Sequence, residues 1–185
     1  PVSSPVILRT LPHDTSSFTQ GLLYHGGLLY ESTGLYGESK LRVIDPADGR
    51  VIKTVPVAPE IFAEGLAQSG DRLVQLTWRE NSAMVYSFPG LELIGTFAYQ
   101  GEGWGLTVSG ANFVMSNGSD TLVFRNQAFS IVRRLPVTLR GRPLPSLNEL
   151  ESVNGMIYAN VWYNDFIFAI NDATGKVERI FDCSS

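Results

Sequence analysis

The chain has 185 residues, 44% hydrophobic and 17% charged, a length and composition that suit one globular domain with a sizeable core. Its formal net charge of −4 argues against nucleic acid or an anionic membrane as the main partner, and no apolar run approaches the roughly 20 residues of a transmembrane helix. Cys183 is the sole cysteine, so an internal disulfide is ruled out and a cysteine-based metal site is not expected.

In chain order, residues 1–17 show neither the basic nor the apolar segment of a signal peptide, and a start at Pro1 points to processing or trimming. Val6–Leu11 reads as a spare strand outside any repeat, of the kind that completes a last blade. Four runs follow at Gln20–Tyr24, Leu28–Thr33, Leu41–Ile44 and Arg50–Val57, with turns at His25-Gly26-Gly27 and Asp45-Pro46-Ala47-Asp48-Gly49. A second set comprises Glu64–Ala67, Arg72–Thr77, Ala83–Ser87 and Glu92–Phe97. The third comprises Trp104–Val108, Asn112–Ser116, Thr121–Arg125 and Ser130–Leu135. Leu139–Ser146, with two prolines and two arginines, breaks the rhythm and reads as an ordered connector. The fourth set is Glu149–Val153, Met156–Val161, Phe166–Ile170 and Lys176–Phe181. No segment carries a long 3.6-residue apolar period, so little helix is expected.

A short phrase unites the four sets: Phe18-Thr19-Gln20-Gly21-Leu22, Phe62-Ala63-Glu64-Gly65-Leu66, Gly103-Trp104-Gly105-Leu106 and Leu147-Asn148-Glu149-Leu150. Aligned on Gly21, Gly65, Gly105 and Leu150, the steps are 44, 40 and 45 residues. That period, with four short strands per unit, predicts an all-β chain: a β-propeller of four-stranded blades, four of them visible, in one domain over residues 1–185. A solenoid or a sandwich is the alternative, and the near-constant period favours the propeller. Gln20, Glu64, Trp104 and Glu149 then share one register on the innermost strands.

The motifs in sequence resemble the plant and bacterial type of glutaminyl cyclase (glutamine cyclotransferase). The matching residues are Pro12-His13-Asp14, Phe18–Leu22, Tyr30–Gly37, Phe62–Leu66, Leu76-Thr77-Trp78, Gly101–Thr107, Ser116–Ser119, Leu147–Glu151 and Ala159-Asn160-Val161-Trp162. The resemblance implies a five-bladed propeller, a secreted or periplasmic setting and no required organic cofactor. It also implies that a further blade, carrying a lysine-containing segment near the active-site mouth, follows in family members. On that comparison part or all of the last blade is absent from these 185 residues. Peptides or proteins with N-terminal glutamine are the implied partners, and a monomer is expected.

Cyclising an N-terminal glutamine requires a carboxylate for the α-amine, donors for the developing oxyanion and a proton for departing ammonia. It also requires a pocket that folds the side chain back on itself. Glu64 is the expected amine-binding carboxylate and proton acceptor, with Glu149 and Glu31 assisting; Glu151, two residues on, competes with Glu149 for its place. Trp78, Trp104 and Trp162 are expected to wall the pocket, and Gln20, Asn117 and Asn160 to donate to the oxyanion. Glu102 reads as a turn residue. His13 and His25 lie too far apart in the pattern for a metal pair, and no zinc or Ser-His-Asp signature emerges. A structural divalent cation in the central channel is left open. Asn117-Gly118-Ser119 fits the glycosylation sequon but overlaps a site motif and reads as coincidence. Two rivals stand beside the cyclase: a non-catalytic propeller that binds peptides or glycans, and a metal-dependent hydrolase of the sugar-lactonase type.

Overall fold

Residues 1–184 are described by a computed structural model, which contains strands and no helix among those residues. The chain opens with β1 (Val2–Ser3). Residues 7–103 then form one compact unit of two sheets. The first is β2 (Thr19–His25), β3 (Leu28–Thr33), β4 (Lys40–Asp45) and β5 (Arg50–Pro56). The second is β6 (Ala63–Ser69), β7 (Arg72–Thr77), β8 (Ser82–Ser87) and β9 (Leu93–Ala98). A second unit joins residues 1–6 to residues 104–185. It holds the sheet of β10 (Leu106–Ser109), β11 (Asn112–Met115), β12 (Thr121–Arg125) and β13 (Ile131–Pro136). A small hairpin of β14 (Thr138–Leu139) and β15 (Arg142–Pro143) follows. The last sheet is β16 (Leu147–Val153), β17 (Met156–Val161), β18 (Phe166–Asn171) and β19 (Val177–Asp182), with β1 added at its edge. Each four-stranded sheet is an antiparallel meander in sequence order, the blade of a β-propeller.

Two sequence expectations change. The spare strand is not Val6–Leu11, whose Val6, Ile7 and Leu8 are exposed and unpaired as strand; it is Val2–Ser3, parallel to Ile180–Phe181. An unpaired edge accepts whatever backbone lies against it, so a two-residue strand is set by its partner and not by its own apolar content. The Leu139–Ser146 connector contributes to a hairpin, turned at Arg140 and Gly141, both at positive φ.

Turn chemistry fixes the hairpins. Asn154 and Gly155, at φ 50° and 77°, lie between paired Val153 and Met156, the left-handed pair that suits a two-residue hairpin. In the Asp45 turn, the Asp45 carboxylate accepts the Ala47 N–H at 2.9 Å. In the first three sheets the second and third strands are largely buried and the fourth faces solvent, β5 and β9 being exposed along most of their length. In the first unit Tyr30, Leu41, Val43, Leu66, Leu73, Met84 and Tyr86 pack between the two sheets. In the second, Val114, Leu122, Phe124, Leu147, Leu150, Ile157 and Phe168 do the same. Leu41 and Val43 on β4, and Met84 and Tyr86 on β8, stand two apart on one side of the pleat, and the residues between them are buried as well.

Fully buried Gln75 connects the first unit's sheets by polar contacts. Its amide donates to Ser32 Oγ at 2.7 Å, and its carbonyl accepts from the Tyr86 hydroxyl at 3.1 Å. Tyr86→Phe leaves that carbonyl oxygen without the bond and is expected to cost about 1–2 kcal/mol, read as a lower denaturation midpoint at unchanged m-value.

The recurring phrase has a steric cause. A Cβ on Gly21 would lie 2.7 Å from the Leu66 backbone nitrogen, and one on Gly105 would lie 2.1 Å from the Asn148 carbonyl oxygen. Within each unit, then, the first strand of one sheet runs backbone to backbone against the first strand of the next, and only glycine fits between them.

Candidate active site

The pairing register of three first strands slips inside the recurring phrase: between Thr19 and Gly21, between Ala63 and Leu66, and between Leu147 and Leu150. A bulge leaves residues out of the ladder and re-aims their side chains. Gln20, Glu64 and Glu149 all fall within these slips.

In the first unit, Glu64 is 6% exposed, and its Oε2 is buried without a hydrogen-bond partner. Burial, first, and the charges of Glu102 and Glu80, next, push its carboxyl up to about 9 from an ordinary 4.5. The free protein therefore carries Glu64 neutral at pH 7. Beside it stands an aromatic cluster. Phe62 meets Trp78 at 5.5 Å between centroids, Tyr36 at 5.5 Å and Phe18 at 6.2 Å. The Phe62 ring lies on the backbone of Gly34, where a Cβ would come within 2.5 Å of it and 3.0 Å of Gln20 Cγ. Gln20 thus packs at the edge of the same cluster, and among the described residues its amide has no hydrogen-bond partner.

A rim of charge surrounds these rings. The Trp78 indole N–H donates to Glu102 Oε2 at 3.0 Å, and the Arg79 Nε–H donates to Glu102 Oε1 at 3.0 Å. The Arg79 guanidinium also stacks 3.6 Å from the Trp78 ring centroid. Glu102 is therefore the clamp that orients Trp78, not a turn residue. The Tyr36 hydroxyl donates to Glu80 Oε1 at 3.0 Å. Buried Tyr99 donates to the Thr77 carbonyl oxygen, and the charges of both Glu64 and Glu80 reach its phenol.

Glu31 is placed differently. Ser32, its neighbour on β3, faces Gln75 of the second sheet, so the pleat turns Glu31 to the opposite side. There, fully buried, it accepts from Thr19 Oγ at 2.6 Å, meets His13 Nε2 at 2.8 Å and lies 3.8 Å from the Arg42 guanidinium. Arg42 also donates to Asp14 at 3.0 Å and to Ser17 at 2.7 Å. His13, which the sequence only excludes from a metal pair with His25, belongs to this network.

The second unit holds the other candidates. Trp104 and Trp162 meet edge to face at 5.6 Å, and Tyr163 stacks on Trp162 at 4.5 Å. Trp104 lies on the backbone of Gly118, as Phe62 does on Gly34. The Asn160 side-chain oxygen accepts the Glu149 N–H at 2.8 Å across the bulge, which fixes that residue's backbone. Asn117 uses its side-chain oxygen for the Ser119 N–H at 3.2 Å and the Ser119 hydroxyl at 2.6 Å. Ser116 joins the two inner strands: its hydroxyl accepts the Gly105 N–H at 2.7 Å and donates to the Asn148 carbonyl at 2.6 Å. Glu151 is exposed, while Glu149 is half-buried. Among the described residues, no three His, Cys, Asp or Glu side chains are grouped to hold a metal ion.

Sequence reasoning gave Glu80 and Arg79 no role and read Glu102 as a turn residue. The signal available was Trp78-Arg79-Glu80, a charged pair directly after a tryptophan at the end of a buried strand.

A sequence model of the glutamine cyclotransferase family matches residues 1–185. A glutaminyl-peptide cyclotransferase of Arabidopsis thaliana is 37% identical over 174 residues, which are 92% of this chain and 54% of the relative. The chain thus spans about half the length of that curated relative. The crystal structure of Myxococcus xanthus glutaminyl cyclase superposes with a TM-score of 0.91 at 39% identity, over 97% of this chain and 76% of that one. The WD40 β-propeller domain of Doa1 superposes with a TM-score of 0.57 at 14% identity, over 92% of this chain and 56% of that one, a likeness of fold alone.

Proposed function

The chain belongs to the glutamine cyclotransferase family, and on that premise we propose that it converts N-terminal glutamine of peptides and proteins to pyroglutamate with release of ammonia. The observation that carries the reading is the Glu64 carboxyl, buried in a bulge beside the Phe62–Trp78 wall with one oxygen unpartnered. An uncompensated carboxyl in such a place is costly unless a cationic donor arrives. The substrate's α-ammonium is that donor.

Once the ammonium lies beside Glu64, Coulomb attraction replaces the burial penalty and the carboxyl ionises. The carboxylate then accepts a proton from the ammonium and frees an amine. The amine nitrogen bonds to the side-chain carboxamide carbon, and the carbonyl electrons move to its oxygen. The Gln20 amide N–H groups are the proposed donors to that oxyanion. Glu64 passes its proton to the amide nitrogen and takes a second one from the attacking nitrogen, the carbon–nitrogen bond breaks, the carbonyl reforms, and ammonia leaves. No oxidant, water or second substrate is consumed. The wall of Phe62 and Trp78, held by Glu102 and Arg79, keeps the glutamine folded toward its own amine, where an intramolecular attack gains most from orientation.

The test is ammonia release from a short peptide with N-terminal glutamine, beside its N-acetylated form. Turnover of the free peptide with none of the acetylated one is expected. Folded protein that releases no ammonia from either would overturn the reading.

A further inference from the structure

Glu64 is not the only carboxyl in the first unit with an idle oxygen. Glu80 Oε2 is also buried without a hydrogen-bond partner, while its Oε1 is taken by the Tyr36 hydroxyl at 3.0 Å. Both carboxylates act on the same surroundings: the charge of Glu80 reaches Glu64, and both reach the phenol of buried Tyr99. The third carboxylate, Glu102, is committed on both oxygens to Trp78 and Arg79. Two buried acceptor atoms lack a donor on either side of one aromatic contact, Tyr36, which holds Glu80, packing at 5.5 Å on Phe62, two residues before Glu64; the nearby cation, Arg79, is turned to Glu102 and the Trp78 face.

We propose that Glu80 is a second substrate-binding carboxylate: with Glu64 it forms a two-pronged seat for a primary ammonium, the α-amino group of the incoming chain. The identity of that ligand rests on the cyclase reading. A primary ammonium has three N–H donors on one atom, enough to reach both idle oxygens at once. A guanidinium is planar and an N-acylated terminus is uncharged, so neither satisfies the pair in the same way. Tyr36 holds Glu80 by one oxygen and so turns the other inward. The groups that face the pair are Glu102 and Arg79 at the rim, Tyr36 behind Glu80, and Tyr99.

The seat has an energetic signature distinct from catalysis. Burial first, with the charges of Glu102 and Glu80 behind it, keeps a proton on Glu64 in the free protein. When the ammonium binds, that proton leaves. Binding is therefore coupled to release of about one proton at about pH 7.5, and is lost when the amine is acylated.

Calorimetry of norleucyl-alanine, whose side chain cannot cyclise, in two buffers of different ionisation enthalpy reads this release without any turnover. N-acetyl-norleucyl-alanine is the control. For the wild-type chain the expected results are binding of the free amine only and release of about one proton. Glu80→Gln keeps an oxygen for the Tyr36 hydroxyl and removes the charge. It is expected to weaken binding by about thirtyfold, the loss of one charge-assisted hydrogen bond, while most of the proton release persists because burial still holds a proton on Glu64. Tyr36→Phe, which removes the contact and keeps the carboxylate, is expected to retain most of the affinity. Unchanged affinity in Glu80→Gln would overturn the proposal, as would absence of amine-dependent binding in the wild type. Glutaminyl-peptide turnover, assayed in parallel, is a separate readout: binding with proton release but no ammonia would leave the ammonium seat standing and remove the cyclase.

Discussion

Glu64→Gln is expected to lower ammonia release from N-terminal glutaminyl peptides by about 10²–10⁴-fold, the usual worth of a positioned acid–base group. The same substitution is expected to make the protein more stable at alkaline pH. In the folded chain the Glu64 carboxyl titrates at about 9, against 4.5 for an ordinary glutamate. Between those two values the folded state binds more protons than the unfolded one, so stability falls as pH rises through that window. Below it both states are protonated and the penalty is absent. Glutamine has nearly the same shape and cannot ionise. Thermal unfolding at about pH 4 and about pH 9 should therefore show little difference at the lower pH and a higher midpoint for the variant at the higher. An inactive variant that is also less stable at pH 9 would make Glu64 a structural residue. The combination of lost activity and gained stability is the mark of a group kept for chemistry at a cost to the fold.

Gly105→Ala is expected to cost about 3 kcal/mol and to lower the melting temperature by about 10 °C. The added carbon would sit 2.1 Å from the Asn148 carbonyl oxygen and 2.7 Å from Glu149 Cα, both backbone atoms of β16. No rotamer change can relieve a clash with backbone, so β16 must move away. That displacement also breaks the Ser116 bridge, whose hydroxyl joins the Gly105 N–H to the Asn148 carbonyl. Denaturation against urea measures the loss. Gly95→Ala is the matched control, because a Cβ there meets nothing within 4 Å and its φ is not in the left-handed region. Equal midpoints for the two variants would remove the close strand approach as the reason for the glycine in the recurring phrase.

Most of the blade pattern was legible because turn chemistry and alternation are local. Asn154-Gly155 closes a hairpin whatever lies elsewhere, and the strand bounds around it agree to within a residue or two. The position of the recurring phrase was legible too, though its cause was not. A bulge and a backbone clash are properties of a pair of strands, and one strand's sequence names neither. The misplaced N-terminal strand follows the same logic. Val6–Leu11 has the stronger β composition, but β19 offers its hydrogen bonds to Val2 and Ser3. Glu80 escaped notice and Glu102 was read as a turn residue because both lie outside the phrase and gain meaning only from Tyr36, Trp78 and Arg79, brought near by folding. Glu31 looks from its motif like one more carboxylate of the same kind. What separates it is the side of β3 on which it stands and the company of Arg42 and His13 there.

The parallel pairing of Val2 with Ile180 bears on the timing of folding. The ribosome releases Val2–Ser3 long before β19 exists, so this contact joins residues far apart in the sequence. Contacts of that span form late, because the loop they close must first be ordered. Until they form, the outer backbone of β19 is an open template for another chain. A late step on the way to the native state thus coincides with an interval of exposure to self-association, and dilution during refolding should raise the yield of folded product.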